Sequence, residues 1–428
     1  KLIKQLESEN RKATPEEQAI LAKYVGWGGM PQAFEYRNQE WSKERDELEQ
    51  LLTEDEYEAA RGSTLNAHYT SPEVIKAMWN VLDRMGFKKG RILEPAMGVG
   101  HFLGFMPDSV MNKSKLSGVE LDSITGRIAQ QLYQDADIRV NGFEKETFPD
   151  NFFDLAISNV PFGDYKLHDP RYNKYGFKIH DYFFAKSLDK VRPGGIVAFI
   201  TSRFTMDKID PKVRKYLAER ANLVAAIRLP NTAFKKNANT EVTTDIIFLQ
   251  KKAEGDKSPS TGWTEIKENK YKQGRYNLNE YFVNNPQMMF GKMIVEEHGM
   301  YGRDEATLQS DGRDIADALS DITESLPANI YKTSKEMEQE QPDLQNIQAN
   351  MIPDAEFVKE GAYSVIEGKL YMRRGNEFVP QNLNAADTGR IKGMIELRDA
   401  VRNVLHKEML TDSDDAVNPL MSRLNKVY

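Results

Sequence analysis

The chain of 428 residues contains no cysteine, no long apolar run and no excess of basic over acidic residues. Without cysteine it cannot form a disulfide framework, a thiolate nucleophile, a cysteine-type zinc site or an iron–sulfur cluster. No stretch approaches the roughly 20 apolar residues of a membrane helix, and the amino terminus lacks a signal-peptide pattern. The histidines show no paired spacing for a metal. We therefore expect a cytoplasmic protein of two or three domains, without a metal and without a membrane partner.

Charge is distributed unevenly along the chain, which carries 58 basic and 65 acidic residues in total. Residues 151–250 are basic, whereas the segments on either side are acidic. This pattern favours one face that contacts a polyanion. The candidate phosphate contacts in the densest part are Arg203, Arg214, Lys215, Lys235 and Lys236. A solvated helix face followed by a lysine-rich loop explains the same charges equally well.

Seven short apolar runs between residues 92 and 249 predict seven strands. Helical patterns separate most of them, which is typical of a doubly wound, Rossmann-like α/β sheet that is covered on both faces. The runs at 224–229 and 246–249 have no helix between them. We therefore expect these two strands to pair antiparallel at one edge of the sheet.

Composition divides the chain into three predicted parts. Residues 1–66 carry helix signals and are expected to form a helical amino-terminal segment, and residues 67–252 are expected to form the α/β domain. The sequence Ala-Glu-Gly-Asp-Lys-Ser-Pro-Ser-Thr-Gly after residue 252 has the composition of a linker. Residues 253–428 are expected to form a mixed α/β region that contacts DNA or links to a further domain.

The third part contains signals for both types of structure. We expect residues 305–352 to be helical, residues 363–379 to form a hairpin, and residues 385–428 to form a pair of helices.

A glycine turn follows the first predicted strand, with the sequence Glu94-Pro95-Ala96-Met97-Gly98-Val99-Gly100-His101-Phe102. Glycine lets the backbone approach a ligand closely. A dinucleotide fingerprint needs a third glycine, and Gly104 lies one position too late. A carboxylate beside the turn suits a cationic group, and Glu120 after the second strand can accept hydrogen bonds from ribose hydroxyls. S-adenosyl-L-methionine, a nucleoside with an amino-acid tail, meets both requirements.

A second motif, Ser158-Asn159-Val160-Pro161-Phe162, ends the fourth predicted strand. In a doubly wound sheet the first and fourth strands flank the switch in strand order, so both motifs should open into one crevice. The Asn159 side-chain oxygen and the Val160 carbonyl can accept the two hydrogens of a planar amine, while Phe162 offers a stacking face. Two such acceptors favour a pyramidal, nucleophilic nitrogen. The motif therefore indicates methylation of a conjugated amine without a strong general base.

These motifs resemble those of the N6-adenine DNA methyltransferases, with their Asp/Glu-Pro-x-x-Gly-x-Gly turn and Asn-Pro-Pro-Tyr/Phe loop. The stretch from Ala67 to Pro72 is similar to the Tyr-Thr-Pro element of type I modification subunits. The resemblance covers about residues 67–252 and implies a seven-stranded methyltransferase fold, with S-adenosyl-L-methionine as cofactor and double-stranded DNA as partner.

The resemblance also implies roles for individual residues. The implied cofactor residues are Tyr69, Thr70, Glu94, Pro95, Gly98, Gly100, Phe102, Glu120, Phe143 and Glu144. The implied catalytic residues are Asn159, Val160, Pro161 and Phe162. Tyr165 and Lys166 directly follow this loop, and their interleaved aromatic and basic character would suit a flipped nucleotide, although a surface loop would look the same.

Val160 departs from the family pattern, which usually has proline at this position. The contact there is made by a backbone carbonyl, which valine also supplies, although the loop loses the rigidity of a proline ring. Two alternatives to DNA methylation follow. One is an inactive methyltransferase fold that serves as a DNA-binding or scaffold module, and the other is a methyltransferase for RNA or for a protein glutamine amide.

Residues 15–290 more narrowly resemble the methylase region of large methyltransferase–helicase fusions from bacterial mobile elements and phages. We therefore expect this chain, which begins with Lys1, to be part of a longer polypeptide with further domains such as a helicase. The sequence gives no indication of the DNA target or of the oligomeric state.

Overall fold

The structure is a computed structural model that describes residues 1–333, 347–348 and 358–410. Within these ranges it leaves out residues 25, 29, 65–69, 234–241, 254, 273, 297–304, 367 and 376. The chain divides into two compact units, Lys1–Thr333 and Ser334–Tyr428.

A seven-stranded sheet forms the centre of the first unit. Its strands are β1 (Arg91–Glu94), β2 (Lys115–Glu120), β3 (Asp137–Val140), β4 (Phe153–Asn159), β5 (Val191–Ser202), β6 (Ala221–Leu229) and β7 (Thr244–Lys251). Their order is β3-β2-β1-β4-β5-β7-β6. The first five strands are parallel, and β7 pairs antiparallel with both β5 and β6. The doubly wound α/β class and the antiparallel edge are thus confirmed.

Helices of the first unit precede the sheet, cover its faces and follow it. They are α1 (Leu2–Ser8), α2 (Pro15–Leu21), α3 (Ser42–Leu51), α4 (Glu54–Ser63), α5 (Pro72–Arg84), α6 (His101–Gly104), α7 (Asp108–Met111), α8 (Ser123–Leu132), α9 (Ile179–Lys190), α10 (Phe204–Asp207), α11 (Lys212–Arg220), α12 (Glu280–Asn284) and α13 (Ile315–Ser325).

Helix α5 shows why the chain becomes helical where the sequence predicts it. The Ser71 hydroxyl accepts a hydrogen bond from the Val74 N–H, and Pro72 occupies the first turn, where its missing N–H costs nothing. Apolar residues at helical spacing, among them Ile75 and Leu82, are buried against the sheet. Burial of this face, and not the cap alone, stabilises the helix.

The strand order determines where the two sequence motifs meet. Strands β1 and β4 are neighbours in the sheet, with Ile92 beside Leu155. They lie where the chain changes direction across the sheet, and ligands bind outside the carboxyl ends of the strands at such a point. Glu94 ends β1 and Asn159 ends β4, so both motifs lie at the same edge.

Two hairpins follow the sheet within the first unit. One pairs β8 (Ile266–Tyr271) with β9 (Gly274–Asn279), and the other pairs β10 (Gly291–Glu296) with β11 (Glu305–Ser310). The helical prediction for residues 305–352 is confirmed for α13 but wrong for β11, which pairs with β10, and for residues 347–348, which form a strand. Pairing with a neighbouring strand overrides local propensity at β11. Residues 334–346 and 349–352 lie outside the described residues.

The compact unit continues beyond the predicted boundary at residue 252. Helix α13 packs on α5, and the N–H groups of Asn329 and Tyr331 donate to the carbonyls of Arg84 and Met85. Trp263, which follows the predicted linker, is buried in the main core. Residues 253–333 therefore pack as part of the same unit as the sheet.

Buried charges tie the sheet edge to the segment that follows it. Arg228 at the end of β6 is fully buried, and its guanidinium contacts Asp207 at 2.6 Å and Asp245 at 2.7 Å. The second carboxylate oxygen of Asp207 accepts a hydrogen bond from the Asn279 N–H at 2.9 Å. Proximity of the two carboxylates raises the pKa of Arg228 despite its burial. The base of the β8–β9 hairpin is thereby fixed to α10.

In the second unit, β12 (Ile347–Gln348), β13 (Tyr363–Ile366), β14 (Lys369–Arg374) and β15 (Glu377–Pro380) form a sheet of order β12-β15-β14-β13. The predicted hairpin corresponds to β13 and β14. Helix α14 (Ala385–Leu410) begins where the helix pair is predicted, and residues 411–428 lie outside the described residues. No helix in the described part of the chain has the length and apolarity needed to cross a membrane.

Candidate active site

A cavity of about 510 Å³ opens at the carboxyl ends of β1, β2 and β4. It brings together most of the residues that the two sequence motifs single out. Those that line it are Thr70, Glu94, Pro95, Gly98, Phe102, Glu120, Phe143, Glu144, Asn159, Val160, Pro161, Phe162 and Tyr165. The two motifs therefore share one site, as their strand positions predict.

The glycines of the turn have different roles. Both adopt positive φ, 55° at Gly98 and 82° at Gly100, which favours glycine at each position. A Cβ on Gly98 would meet no atom within 4 Å, whereas a Cβ on Gly100 would lie 2.5 Å from Cε2 of Tyr133. The Tyr133 hydroxyl also donates to the Gly100 carbonyl at 2.5 Å. Gly98 thus faces the cavity, while Gly100 allows the turn to pack on Tyr133, the residue that follows α8.

Glu120 is held by the backbone on both sides. One carboxylate oxygen accepts from the Gly98 N–H at 2.8 Å and the other from the Asp122 N–H at 2.8 Å. Burial nevertheless raises the pKa of Glu120 to about 7, because desolvation opposes the charged form more than the two N–H groups support it.

Glu94 is the more deeply buried carboxyl group, with 1% of its surface exposed. Burial raises its pKa well above the ordinary value, and the nearby Glu120 raises it further. Among the described residues its Oε2 has no hydrogen-bond partner. A buried acceptor of this kind costs about 1–3 kcal/mol unless a ligand donates to it. The pair of carboxyl groups therefore fits a ligand that carries hydroxyl or ammonium donors, such as S-adenosyl-L-methionine.

The Asn159 loop is fixed from three sides. Nδ2 of Asn159 donates to the Thr70 hydroxyl at 3.1 Å, and the preceding Ser158 hydroxyl donates to the Ala96 carbonyl at 3.0 Å. The Val160 N–H donates to the Ile200 carbonyl at 3.1 Å. A proline at position 160 could not make this last bond. The hydrogen bond therefore constrains the loop where the proline ring of the family pattern is missing.

Residues after β3 form a further wall of the cavity. Phe143 is buried, with its ring centroid 5.1 Å from that of Phe183. The Lys186 ammonium lies 5.0 Å from the Phe143 ring and donates to the Glu144 carbonyl at 3.2 Å. The backbone at residues 143–144 is therefore fixed from α9.

The predicted phosphate contacts are not brought together. Arg203 and Arg214 are buried, and Arg214 donates through Nε to the Thr264 carbonyl at 2.8 Å. The structure therefore does not support a phosphate contact by either arginine.

The remaining predicted contacts lie on the surface or outside the described residues. Lys215 and Lys166 are exposed outside the cavity, and the Lys215 ammonium lies 3.5 Å from Glu265. Tyr69, Lys235 and Lys236 lie outside the described residues.

The sequence interpretation missed residues of the amino-terminal segment, where Gly26, Trp27, Ala59 and Gly62 line the cavity. The indole of Trp27 packs edge-on against Tyr24 and Phe34. Its buried Nε1 has no hydrogen-bond partner among the described residues. An aromatic residue among glycines was the available signal, but nothing in the sequence connected it to the glycine turn.

A family model described as N-6 DNA methylase matches residues 46–293, more than half of the chain. The chain belongs to the N-6 DNA methylase family. This membership makes S-adenosyl-L-methionine its cofactor, in agreement with the expectation from the glycine turn.

Among curated proteins, this chain is similar to the Defense against restriction protein B of Escherichia phage P1. The two are 28% identical over 211 residues, which cover 48% of the chain and 9% of the phage protein. The chain thus matches only a small part of that relative's length.

Two solved structures illustrate the structural similarity. One is described as a class I S-adenosylmethionine-dependent methyltransferase of Listeria monocytogenes, with TM-score 0.39, 18% identity, and coverage of 57% of this chain and 83% of the other. The second is a type I restriction-modification methyltransferase subunit of Streptococcus thermophilus, with TM-score 0.38, 20% identity, and coverage of 46% and 50%. The fold assignment rests on the strand order and not on these scores.

Proposed function

We propose that the chain transfers a methyl group from S-adenosyl-L-methionine to the N6 amine of adenine in DNA. The observation that carries this proposal is the single cavity onto which both Glu120 and Asn159 open. One end of the cavity offers acceptors for a ligand with hydroxyl and ammonium groups, and the other offers a loop that suits a planar amine. The methyl group of the cofactor and the acceptor amine would then meet between these two ends of the cavity.

The proposed roles in cofactor binding follow from the hydrogen-bond acceptors and the open space on the side of the glycine turn. Glu120 accepts from ribose hydroxyls, Gly98 leaves room for the ligand, and Glu94 and Thr70 accept from the amino-acid tail. Phe143 and Glu144 border the adenine. When bound, S-adenosyl-L-methionine supplies an electrophilic methyl group on its sulfonium.

Asn159 and Val160 prepare the acceptor amine in this proposal. The amine's lone pair is delocalised into the adenine ring, which makes a planar nitrogen a poor nucleophile. The side-chain oxygen of Asn159 and the carbonyl of Val160 each accept one N–H, and this favours a pyramidal nitrogen whose lone pair points at the methyl group. The new nitrogen–carbon bond replaces the methyl–sulfur bond, and the nitrogen then releases one proton to solvent. Pro161 sets the turn, and Phe162 stacks on the base.

Adenine cannot reach this cavity while it is stacked in a duplex. The proposal therefore includes base flipping, with Phe162 as the stacking platform inside the cavity. Tyr165 is 45% exposed and also lines the cavity, which supports a role at its entrance. Lys166 follows on the exposed surface and could be reached by the phosphate of the flipped nucleotide.

The proposal places the catalytic residues in 67–252, within the compact unit Lys1–Thr333. The flanking parts contribute in specific ways, since the amino-terminal segment lines the cavity and residues 253–333 pack beside the sheet.

The test is transfer of tritiated methyl groups from S-adenosyl-L-methionine to unmethylated plasmid DNA, with Asn159→Ala as the control. Label recovered as N6-methyladenine from the parent chain, and absent with the variant, would support the proposal. Cofactor binding without label in DNA would favour an RNA or glutamine amide substrate. A chain that binds no cofactor would support the inactive scaffold instead.

A further inference from the structure

The hairpin of β8 and β9 forms a two-stranded ribbon beside the sheet, with six consecutive residue pairs from Ile266↔Asn279 to Tyr271↔Gly274. We name it the basic ribbon, and we include Lys292 of the adjacent β10 in it. A two-stranded ribbon is one of the two elements that the major groove of duplex DNA admits.

Like charges face each other across this ribbon. Lys270 lies directly opposite Arg275, and both side chains are exposed. Such a pair is unfavourable in a free hairpin, because like charges at opposite positions repel. Glu268 forms an ion pair with Arg275 at 3.1 Å, and no described acidic residue forms one with Lys270. A bound anion would relieve the repulsion.

Further cations and an aromatic ring extend the same surface. The ammonium groups of Lys272 and Lys292 lie 5.5 and 6.0 Å from the ring of Tyr271. Lys267 is exposed on β8. An array of cations around an aromatic ring fits a phosphodiester backbone better than a single small anion, because its charges are spread along the ribbon.

The ribbon's base is fixed at the same edge of the sheet as the cavity. Asn279 is fully buried and donates through Nδ2 to the carbonyls of Met206 and Trp263, each at 2.8 Å. Met206 belongs to α10, which follows directly after β5, and β5 pairs with β4, the strand that ends at Asn159. The hydrogen-bonded base of the ribbon thus begins beside β5, the neighbour of β4, and the cations follow toward the turn of the ribbon.

We propose that the basic ribbon contacts the phosphate backbone of duplex DNA and carries the role that the sequence assigned to Arg203 and Arg214. This inference rests on the proposed function, because only a nucleic-acid substrate gives the ribbon a purpose beside the cavity. The contacts would come from Lys267, Lys270, Lys272, Arg275 and Lys292, and they would be independent of DNA sequence.

The experiment compares two variants that lose three positive charges each. The ribbon variant carries Lys270→Gln, Lys272→Gln and Arg275→Gln. The control carries Lys89→Gln, Lys113→Gln and Lys115→Gln, which are exposed near the amino ends of β1 and β2. The affinity for a short duplex is measured over a series of salt concentrations. Binding of S-adenosyl-L-methionine, measured by calorimetry, verifies that both variants are folded.

The ribbon variant should lower the slope of log affinity against log salt by about two to three, since each lost phosphate contact removes about 0.9. The control should keep the parent slope. Equal flattening in both variants, or an unchanged slope in the ribbon variant, would overturn the proposal.

The methylation assay on the parent chain separates the two proposals. Methyl transfer to DNA together with an unchanged slope in the ribbon variant would overturn the ribbon alone. A parent chain that binds cofactor but neither binds duplex nor methylates DNA would overturn the proposed function and the ribbon with it.

Discussion

The two walls of the cavity are built from opposite kinds of group. On the side of the glycine turn, Glu94 is buried, Glu120 is partly exposed, and both are ionisable, with pKa values raised by desolvation. On the side of the catalytic loop, Asn159, Pro161 and Phe162 are partly exposed and neutral. A neutral wall recognises an amine without depending on protonation, whereas the other wall does depend on it. pH should therefore act on cofactor binding and not on recognition of the amine.

We expect the largest effect from Asn159→Ala, which removes the neutral acceptor from the wall of the catalytic loop. Loss of one group that acts in the transition state typically lowers kcat by about 10²- to 10³-fold. We expect a loss of at least this size in single-turnover methyl transfer, with little change in the affinity for S-adenosyl-L-methionine measured by calorimetry. An equal loss in the rate of methyl transfer and in cofactor affinity would instead mean that Asn159 supports the fold of the whole cavity.

Substitutions of the two glycines test the structure of the wall that carries the ionisable groups. Gly100→Ala should destabilise the protein by about 2 kcal/mol or more, since it combines positive-φ strain with a clash against Tyr133. Gly98→Ala should lower stability by only about 1 kcal/mol, but its methyl group would enter the cavity and weaken cofactor binding. Denaturant unfolding and calorimetry measure both effects. If Gly98→Ala were the more destabilising change, Gly98 would not face the open cavity and Gly100 would not pack against Tyr133.

Cofactor affinity should rise between about pH 6 and pH 8. The pKa of Glu120, about 7 in the free protein, lies above its unfolded value of 4.5. Between these two values Glu120 takes up a proton on folding, so the free protein loses stability as the pH rises from about 4.5 through 7. The ionised form accepts from ribose hydroxyls, so binding strengthens over the upper part of this range. Calorimetric affinities should change by about tenfold.

Glu120→Gln provides the comparison for this pH dependence. It should bind the cofactor more weakly and with a flatter pH profile, although Glu94 retains part of the dependence. A profile that is unchanged in the variant would assign the titration to another group.

The smallest expected effect belongs to Trp27→Phe. This change keeps an aromatic ring against Tyr24 and Phe34 but removes the buried indole N–H. If a ligand acceptor normally satisfies that N–H, the affinity for S-adenosyl-L-methionine should fall by about fivefold, the equivalent of one hydrogen bond of about 1 kcal/mol. Trp41→Phe, in the same segment but away from the cavity lining, serves as the control and should bind like the parent chain.

Local sequence was sufficient for most of the first unit's fold. All seven strands of the sheet lie where apolar runs predict them, because a sheet covered on both faces requires nearly continuous burial, as in β4. The antiparallel edge followed from the missing helix before β7. Strand β11 was not predictable, since Glu305–Ser310 pairs with residues on β10 and has no strong apolar pattern of its own.

The site divides in the same way. Glu94, Glu120 and Asn159 were predictable because each lies at the end of a strand, where topology fixes its position. The structure does not support the predicted phosphate contacts of Arg203 and Arg214, because both side chains are buried and a count of charges does not indicate burial. Trp27 was missed as a cavity residue because its contact with the site depends on how the amino-terminal helices pack.

The buried contact of Arg228 with Asp207 and Asp245 limits how this sequence can drift. Replacing either aspartate alone would leave a buried guanidinium with only one counter-charge, and breaking such a pair typically costs about 3–5 kcal/mol. Replacing all three residues together by apolar ones of similar size would avoid that cost. Single substitutions at these positions should therefore be strongly destabilising. Related sequences should carry either all three charged residues or none of them.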